Sequence, residues 1–158
     1  MIEQLKEMFE MQKDFDNQVL SKLGKEYDFE IASKMEIALF VELGELMQEL
    51  PSYFKFWKQN KQDNRDRALE EYVDALKCLL SLASFYNIDV TRFYPYETGR
   101  FITDISPYLV NIMNNTSYHN GLESLFVIGK NIGFTWKEIY ETFKKKHAIN
   151  LKRLEEGY

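Results

Sequence analysis

Residues 66–86 read Asp66-Arg67-Ala68-Leu69-Glu70-Glu71-Tyr72-Val73-Asp74-Ala75-Leu76-Lys77-Cys78-Leu79-Leu80-Ser81-Leu82-Ala83-Ser84-Phe85-Tyr86. The run carries no glycine or proline and is far longer than a strand, so it predicts a helix. From Tyr72 to Tyr86 the only charged residues are Asp74 and Lys77. Asp74 therefore enters the most apolar part of the chain. Cys78, in Leu76-Lys77-Cys78-Leu79-Leu80, reads as a small buried apolar residue.

Working outward, the same periodicity recurs on both sides. A first helix is expected from about Ile2 to Leu23, with Leu5, Met8, Phe9, Phe15, Val19 and Leu23 on its apolar side and Gly24 as its stop. A second starts near Asp28, a good N-cap, and ends before Pro51. The polar stretch from Lys58 to Arg65 reads as an exposed loop. A fourth helix opens at Ser106-Pro107, with serine as N-cap and proline at the first position. A fifth covers roughly Tyr118 to Ile132 and ends at Gly133. The sixth opens with the capping box Thr135-Trp136-Lys137-Glu138 and runs to about Glu156, before Gly157. Gly24, Pro51, Gly133 and Gly157 fall at the ends of these segments, and no stretch alternates over strand length. The expected fold is all-α: a bundle of about six helices in one domain spanning residues 1–158.

The composition narrows the function classes. A hydrophobic fraction of 45% with 15% aromatic residues supports a packed core and argues against disorder. The net charge of −5 argues against a nucleic-acid partner, because phosphate backbones need a basic face. With 1 cysteine there is no internal disulfide, and no zinc site can be built on paired cysteines. The opening MIEQLKEMFE is charged and has no signal-peptide core, and every apolar run is too short to span a bilayer. The expected location is cytoplasmic, with no membrane partner.

Chemistry enters with the carboxylates. Glu42 and Glu45, three apart, share one face of the second helix. Glu42 also lies three after Leu39 and four before Leu46, inside the apolar stripe. Glu71 and Asp74 repeat the spacing on the third helix. Lone carboxylates at apolar positions resist ionisation. Two matched pairs facing a bundle interior instead suit a hard divalent cation such as magnesium, which takes oxygen ligands and completes its shell with substrate phosphates. The alternative is a solvated face making ordinary ion pairs, and Glu70 is read that way.

Glu42-Leu-Gly-Glu45, then Phe54-Lys55-Phe56-Trp57, then Glu70-Glu71-Tyr-Val-Asp74, resembles the dimeric all-α dUTP pyrophosphatases, a branch of the superfamily of MazG-type nucleotide pyrophosphohydrolases. The superfamily's metal motif is Glu-x-x-Glu followed on the next helix by Glu-x-x-Asp. Two further segments are similar to this branch alone: Met11-Gln12-Lys13-Asp14-Phe15-Asp16, and the closing Lys146-His-Ala-Ile-Asn150-Leu-Lys-Arg153-Leu-Glu-Glu-Gly157-Tyr158. The pattern departs at Leu154, where the family often has glutamine. The resemblance implies magnesium-dependent hydrolysis of dUTP, with dUDP as a second substrate, to dUMP and pyrophosphate. It implies magnesium on Glu42, Glu45, Glu71 and Asp74, with Glu42 facing the attacking water. It places Gln12, Asp16, Phe54, Lys55, Trp57, Lys146, Asn150 and Arg153 on the substrate, and makes the protein a homodimer with its sites near the subunit interface.

Read without the family, several of these residues keep two meanings. Gln12 can donate and accept at once, as uracil's edge requires, but it also suits the polar side of an amphipathic helix. Phe54 and Trp57 could wall in a base or pack in the core beside Pro51. Lys146, Asn150 and Arg153 share a helical face that suits phosphate and sugar oxygens, while Lys144, Lys145 and Lys152 read as a solvated basic face. His119 and His147 show no partner spacing and read as surface or rim residues. Two other functions remain open: a MazG-like enzyme for another nucleoside triphosphate, and a helical interaction or regulatory protein with a degenerate metal site.

Overall fold

Helix starts fall where short polar side chains can satisfy the first free amides. The computed structural model describes residues 1–92, 104–114 and 117–157. Among these, six helices form and no strand does: α1 (Ile2–Leu23), α2 (Phe29–Glu49), α3 (Arg65–Phe85), α4 (Ser106–Met113), α5 (Tyr118–Ile132) and α6 (Trp136–Glu155). Asp28 caps α2 by accepting from the Ile31 amide at 2.8 Å. Thr135 and Glu138 close the expected capping box on α6. Gly133, at φ 90°, ends α5 in the left-handed region that glycine adopts without strain.

Two starts differ from the sequence reading. Helix α3 begins at Arg65, because Asn64 supplies the cap, accepting from the Arg67 amide at 3.3 Å. Helix α4 has Ser106 inside its first turn. The capping carboxylate is that of Asp104, which accepts from the Ser106 amide at 2.8 Å, and Ile105 occupies the N-cap position. The polar stretch is loop through Asn64. It is tied to the turn after α2 by Asp63, which accepts from the Ser52 amide at 2.9 Å, and to α2 itself by Asn64, whose backbone amide donates to the Glu49 carbonyl at 2.8 Å. Short 3-10 turns form at Pro51–Tyr53 and Val90–Arg92. Tyr158 of the closing motif lies outside the described residues.

Helix α3 is the hub. It packs most extensively on α2 and also on α1, α5 and α6, while α4 packs on α5. Tyr72, Val73, Ala75, Leu76, Leu79, Leu80, Leu82 and Ala83 are almost fully buried. Each large one contributes about 1.5–3 kcal/mol by leaving water. Tyr72 donates its hydroxyl to the Leu125 carbonyl at 3.0 Å. Its ring passes so close to Gly129 that a methyl group there would sit 2.6 Å from it, so α3 and α5 meet at a position only glycine fits.

The core face of α1 is the informative departure. Its buried residues are Leu5, Met8, Gln12, Asp16 and Leu20. The expected stripe drifted off this row, and Leu23 is 62% exposed. Two polar residues occupy core-facing positions, so a rule that counts apolar side chains shifts the stripe sideways. Cys78 is partly buried against the core, on a cavity wall, and burial pushes its thiol up to about 12.

Candidate active site

Helices α2, α3 and α6 enclose a cleft of about 420 Å³. Glu42 comes from α2, Arg67, Glu70 and Asp74 from α3, and Lys146, Asn150 and Arg153 from α6. The i, i+3 and i, i+4 spacing on α3 and α6 puts these side chains on the facing sides, as expected for Lys146, Asn150 and Arg153. Lys145, read as part of a solvated face, lines the cleft as well, and so does Glu70. Beside the cleft lies a smaller cavity of about 160 Å³, walled by Gln12, Phe15 and Asp16 of α1 and by Lys77 and Cys78 of α3. Glu42, Asp74 and Asn150 line both, so the two spaces meet at these residues.

Negative charge is concentrated at that junction. Glu42, Glu45 and Glu71 each offer an oxygen within 4.8 Å of the others. Burial raises the Glu42 carboxyl to about 7, helped by the charges of Asp74, Glu45 and Glu71. Burial also raises Glu71, against the opposing pull of Lys146 and Arg67. Convergent carboxylates that resist joint ionisation are a donor set that suits a hard divalent cation, which removes the repulsion.

Asp74, expected as the fourth member, is not one of the three converging carboxylates; it forms an ion pair with Lys146. Arg67 holds Glu70 at 2.5 Å and Glu71 at 2.6 Å. The ordinary ion pair expected of Glu70 is therefore present, but at the cleft wall. The site thus juxtaposes acidic groups from α2 and α3 with basic groups from α3 and α6, which suits a polyphosphate carried with a cation.

The smaller cavity has a different character. Gln12 is 4% exposed and donates its amide nitrogen Nε2 to Asp16 Oδ1 at 2.8 Å. The other Asp16 oxygen accepts from the Ser81 hydroxyl. Gln12 Oε1 is buried and has no hydrogen-bond partner among the described residues. Burial raises the Asp16 carboxyl, against the hydrogen bonds from Ser81 and Gln12. Lys77, 6% exposed, holds its ammonium 5.7 Å from the Phe15 ring centroid, and burial lowers its pKa.

Neither Ser81 nor Lys77 was singled out as a site residue from sequence. Lys77 had a signal, being the lone cation in an apolar run. Ser81 had none, since a serine in a buried helix face reads as a small filler.

Phe54, Lys55 and Trp57 line neither space. Phe54 is 37% and Trp57 61% exposed, so the core-packing alternative does not hold. Past the Pro51–Tyr53 turn the segment runs over the surface, where Phe54 and Trp57 meet edge to face at 6.1 Å and the Lys55 ammonium lies 5.2 Å from the Phe54 centroid.

The reading of His147 as a rim residue is corrected. It is buried, stacked on Phe143 at 6.2 Å and edge-on to Phe15 at 6.1 Å, with burial lowering its pKa. Phe143 is one turn back on the same helix, but Phe15 comes from packing α6 on α1, which spacing within one helix cannot reveal. His119 remains at the surface but does have a partner: Glu123, one helical turn on, at 4.0 Å.

A search of curated proteins found no match to the chain. The family model described as dUTPase matches residues 4–158, nearly the whole length, and the all-helical architecture agrees with it. A chain that carries this match over both cavities and every helix belongs to the all-α dUTPase family, whose activity is that of a dUTP diphosphatase, the hydrolysis of dUTP.

Proposed function

We propose that the chain, acting as one unit over residues 1–158, hydrolyses dUTP, and dUDP as a second substrate, with magnesium held at the Glu42, Glu45, Glu71 and Asp74 face. The observation that carries this reading is the junction of the two spaces, where carboxylates from α2 and α3 meet both a basic wall and a polar buried cavity. A bound magnesium ion neutralises triphosphate charge and activates water for attack on phosphorus.

The chain's own groups do the rest. Lys146 and Arg153 hold phosphate oxygens through charge-assisted hydrogen bonds, and Asn150, at the junction, bonds the sugar. Glu42 accepts a hydrogen bond from the attacking water and orients it. Gln12, backed by Asp16, reads the base in the smaller cavity, while Phe54, Lys55 and Trp57 close over the substrate from the surface segment. Before substrate arrives, Lys146 rests on Asp74 and Arg67 on Glu70 and Glu71, so the basic groups offset part of the carboxylate repulsion.

The protein acts as a homodimer in this reading. Support comes from the outer side of α2, where Phe29, Ile37, Phe40 and Val41 are 41–74% exposed at helical spacing. No helix is long and apolar enough to cross a membrane among the described residues. A cytoplasmic location accompanies the nucleotide substrate. Release of pyrophosphate from a panel of nucleotides, with magnesium and then with excess chelator, tests the proposal. The expected result is turnover of dUTP far above dTTP, dCTP and UTP, lost in chelator. A broad nucleotide range would shift the reading to a MazG-like enzyme, and undiminished turnover in chelator would remove the metal.

A further inference from the structure

Gln12 and Ser81 are linked by one carboxylate. Ser81, on α3 and fully buried, donates to one oxygen of Asp16, and Gln12 donates to the other. All three side chains are at most 9% exposed, so the network is held mainly by its own members. The consequence is a fixed polarity for the Gln12 amide. Turned the other way, its Oε1 would face a carboxylate oxygen, acceptor against acceptor, in a site of low dielectric. As found, Nε2 is committed to Asp16 and Oε1 is the uncommitted acceptor.

A primary amide presents its oxygen and its second N–H side by side. That pair matches the imide edge of uracil, which offers a ring N–H next to a carbonyl. Reversed, the same amide would match cytosine, which offers a ring nitrogen acceptor next to an amino group. The direction in which Gln12 is held therefore selects between two bases of nearly the same shape. Thymine shares uracil's imide edge, so this device cannot reject it.

We propose that Ser81 is a positioning residue for base selection, fixing Asp16 and through it the direction of the Gln12 amide, so that the site accepts a uracil edge and rejects a cytosine edge. This rests on the reading of Gln12 as the base-contacting residue. Buried polar networks lose their specificity when one member is left unsatisfied. Without the Ser81 hydroxyl, the Asp16 oxygen loses the donor that fixes it, and the carboxyl can turn or take up a proton. A protonated Asp16 can donate to Oε1, which permits the reversed amide.

The test is kcat/KM for dUTP, dCTP and dTTP on the full chain with magnesium, for Ser81→Ala, Ser81→Thr, Asp16→Asn and Gln12→Ala, with a thermal melt for each. Ser81→Ala should lower the dUTP/dCTP ratio about tenfold, on the order of one buried hydrogen bond, and leave the dUTP/dTTP ratio unchanged. Ser81→Thr, which keeps the hydroxyl, should restore it. Asp16→Asn should erode the dUTP/dCTP ratio as well, since its amide can present either an acceptor or a donor to Gln12, and it serves in place of Ser81→Ala should that variant not fold. If Gln12→Ala lowers the ratio but Ser81→Ala and Asp16→Asn slow all three nucleotides equally, the positioning role is overturned and the base-reading role of Gln12 stands. If Gln12→Ala leaves the ratio untouched, both are overturned.

Discussion

Replacing Glu42 by glutamine removes one charge from the junction without changing its shape. The folded carboxyl titrates at about 7 against an ordinary value of 4.5. The folded state therefore holds this proton more tightly than the unfolded chain does. Below pH 4.5 both states are protonated and Glu42 costs nothing. As pH rises toward 7 the unfolded chain loses its proton first, so stability falls, and above 7 the full penalty is present. The span from 4.5 to about 7 corresponds to at most about 3 kcal/mol. The side chain is only half buried in an open cleft, so solvent screening reduces this to about 1–2 kcal/mol. In a domain of this length that is roughly 2–8 °C in melting temperature.

Melts of the metal-free protein and of Glu42→Gln, in chelator, should coincide near pH 4.5, with the variant higher by several degrees at pH 8. Magnesium should then raise the unmodified protein more than the variant, and the variant should release almost no pyrophosphate from dUTP. A variant that melts lower than the unmodified protein at pH 8 without metal would refute the reasoning, because it would mean the ionised carboxylate stabilises the fold. Near-normal turnover would show that Glu42 neither holds metal nor orients water.

Two further outcomes separate site from scaffold. Arg153→Ala should raise KM for dUTP and lower kcat, on the order of tenfold or more for a charge-assisted phosphate contact, with little change in the melt because Arg153 is exposed. Steady-state kinetics beside a thermal melt check this, and unchanged kinetics would remove Arg153 from the site. Gly129→Ala should do the opposite. A methyl group 2.6 Å from the Tyr72 ring must separate α3 from α5, lowering stability by about 1–3 kcal/mol. Chemical denaturation reads the loss directly, and a melt equal to the unmodified protein would show that the two helices yield freely there.

Much of the fold is written locally. Asp28, Thr135 with Glu138, Gly24 and Gly133 act within a turn or two of their own position, so their caps and stops could be read from spacing alone. The pairing of Glu42 with Glu45 and of Glu71 with Asp74 has the same origin, since 3.6 residues per turn put positions three apart on one face. The expectation that Lys146, Asn150 and Arg153 share a face holds for that reason, and all three line the cleft.

What the tertiary structure decided is what depends on separate helices meeting. Three acidic oxygens converge only because α2 packs on α3, and Asp74 meets Lys146 only because α6 packs on α3. His147 is buried by Phe15 from α1 and Phe143 from its own helix. Asp16 and Ser81, 65 residues apart, meet in the interior. Periodicity misplaced the core face of α1 because it treats a polar residue as a vote for solvent. Gln12 and Asp16 face inward because α3 supplies Ser81 to one of them and a cavity wall to both, and no local rule can record a hydrogen bond whose other half is on another helix.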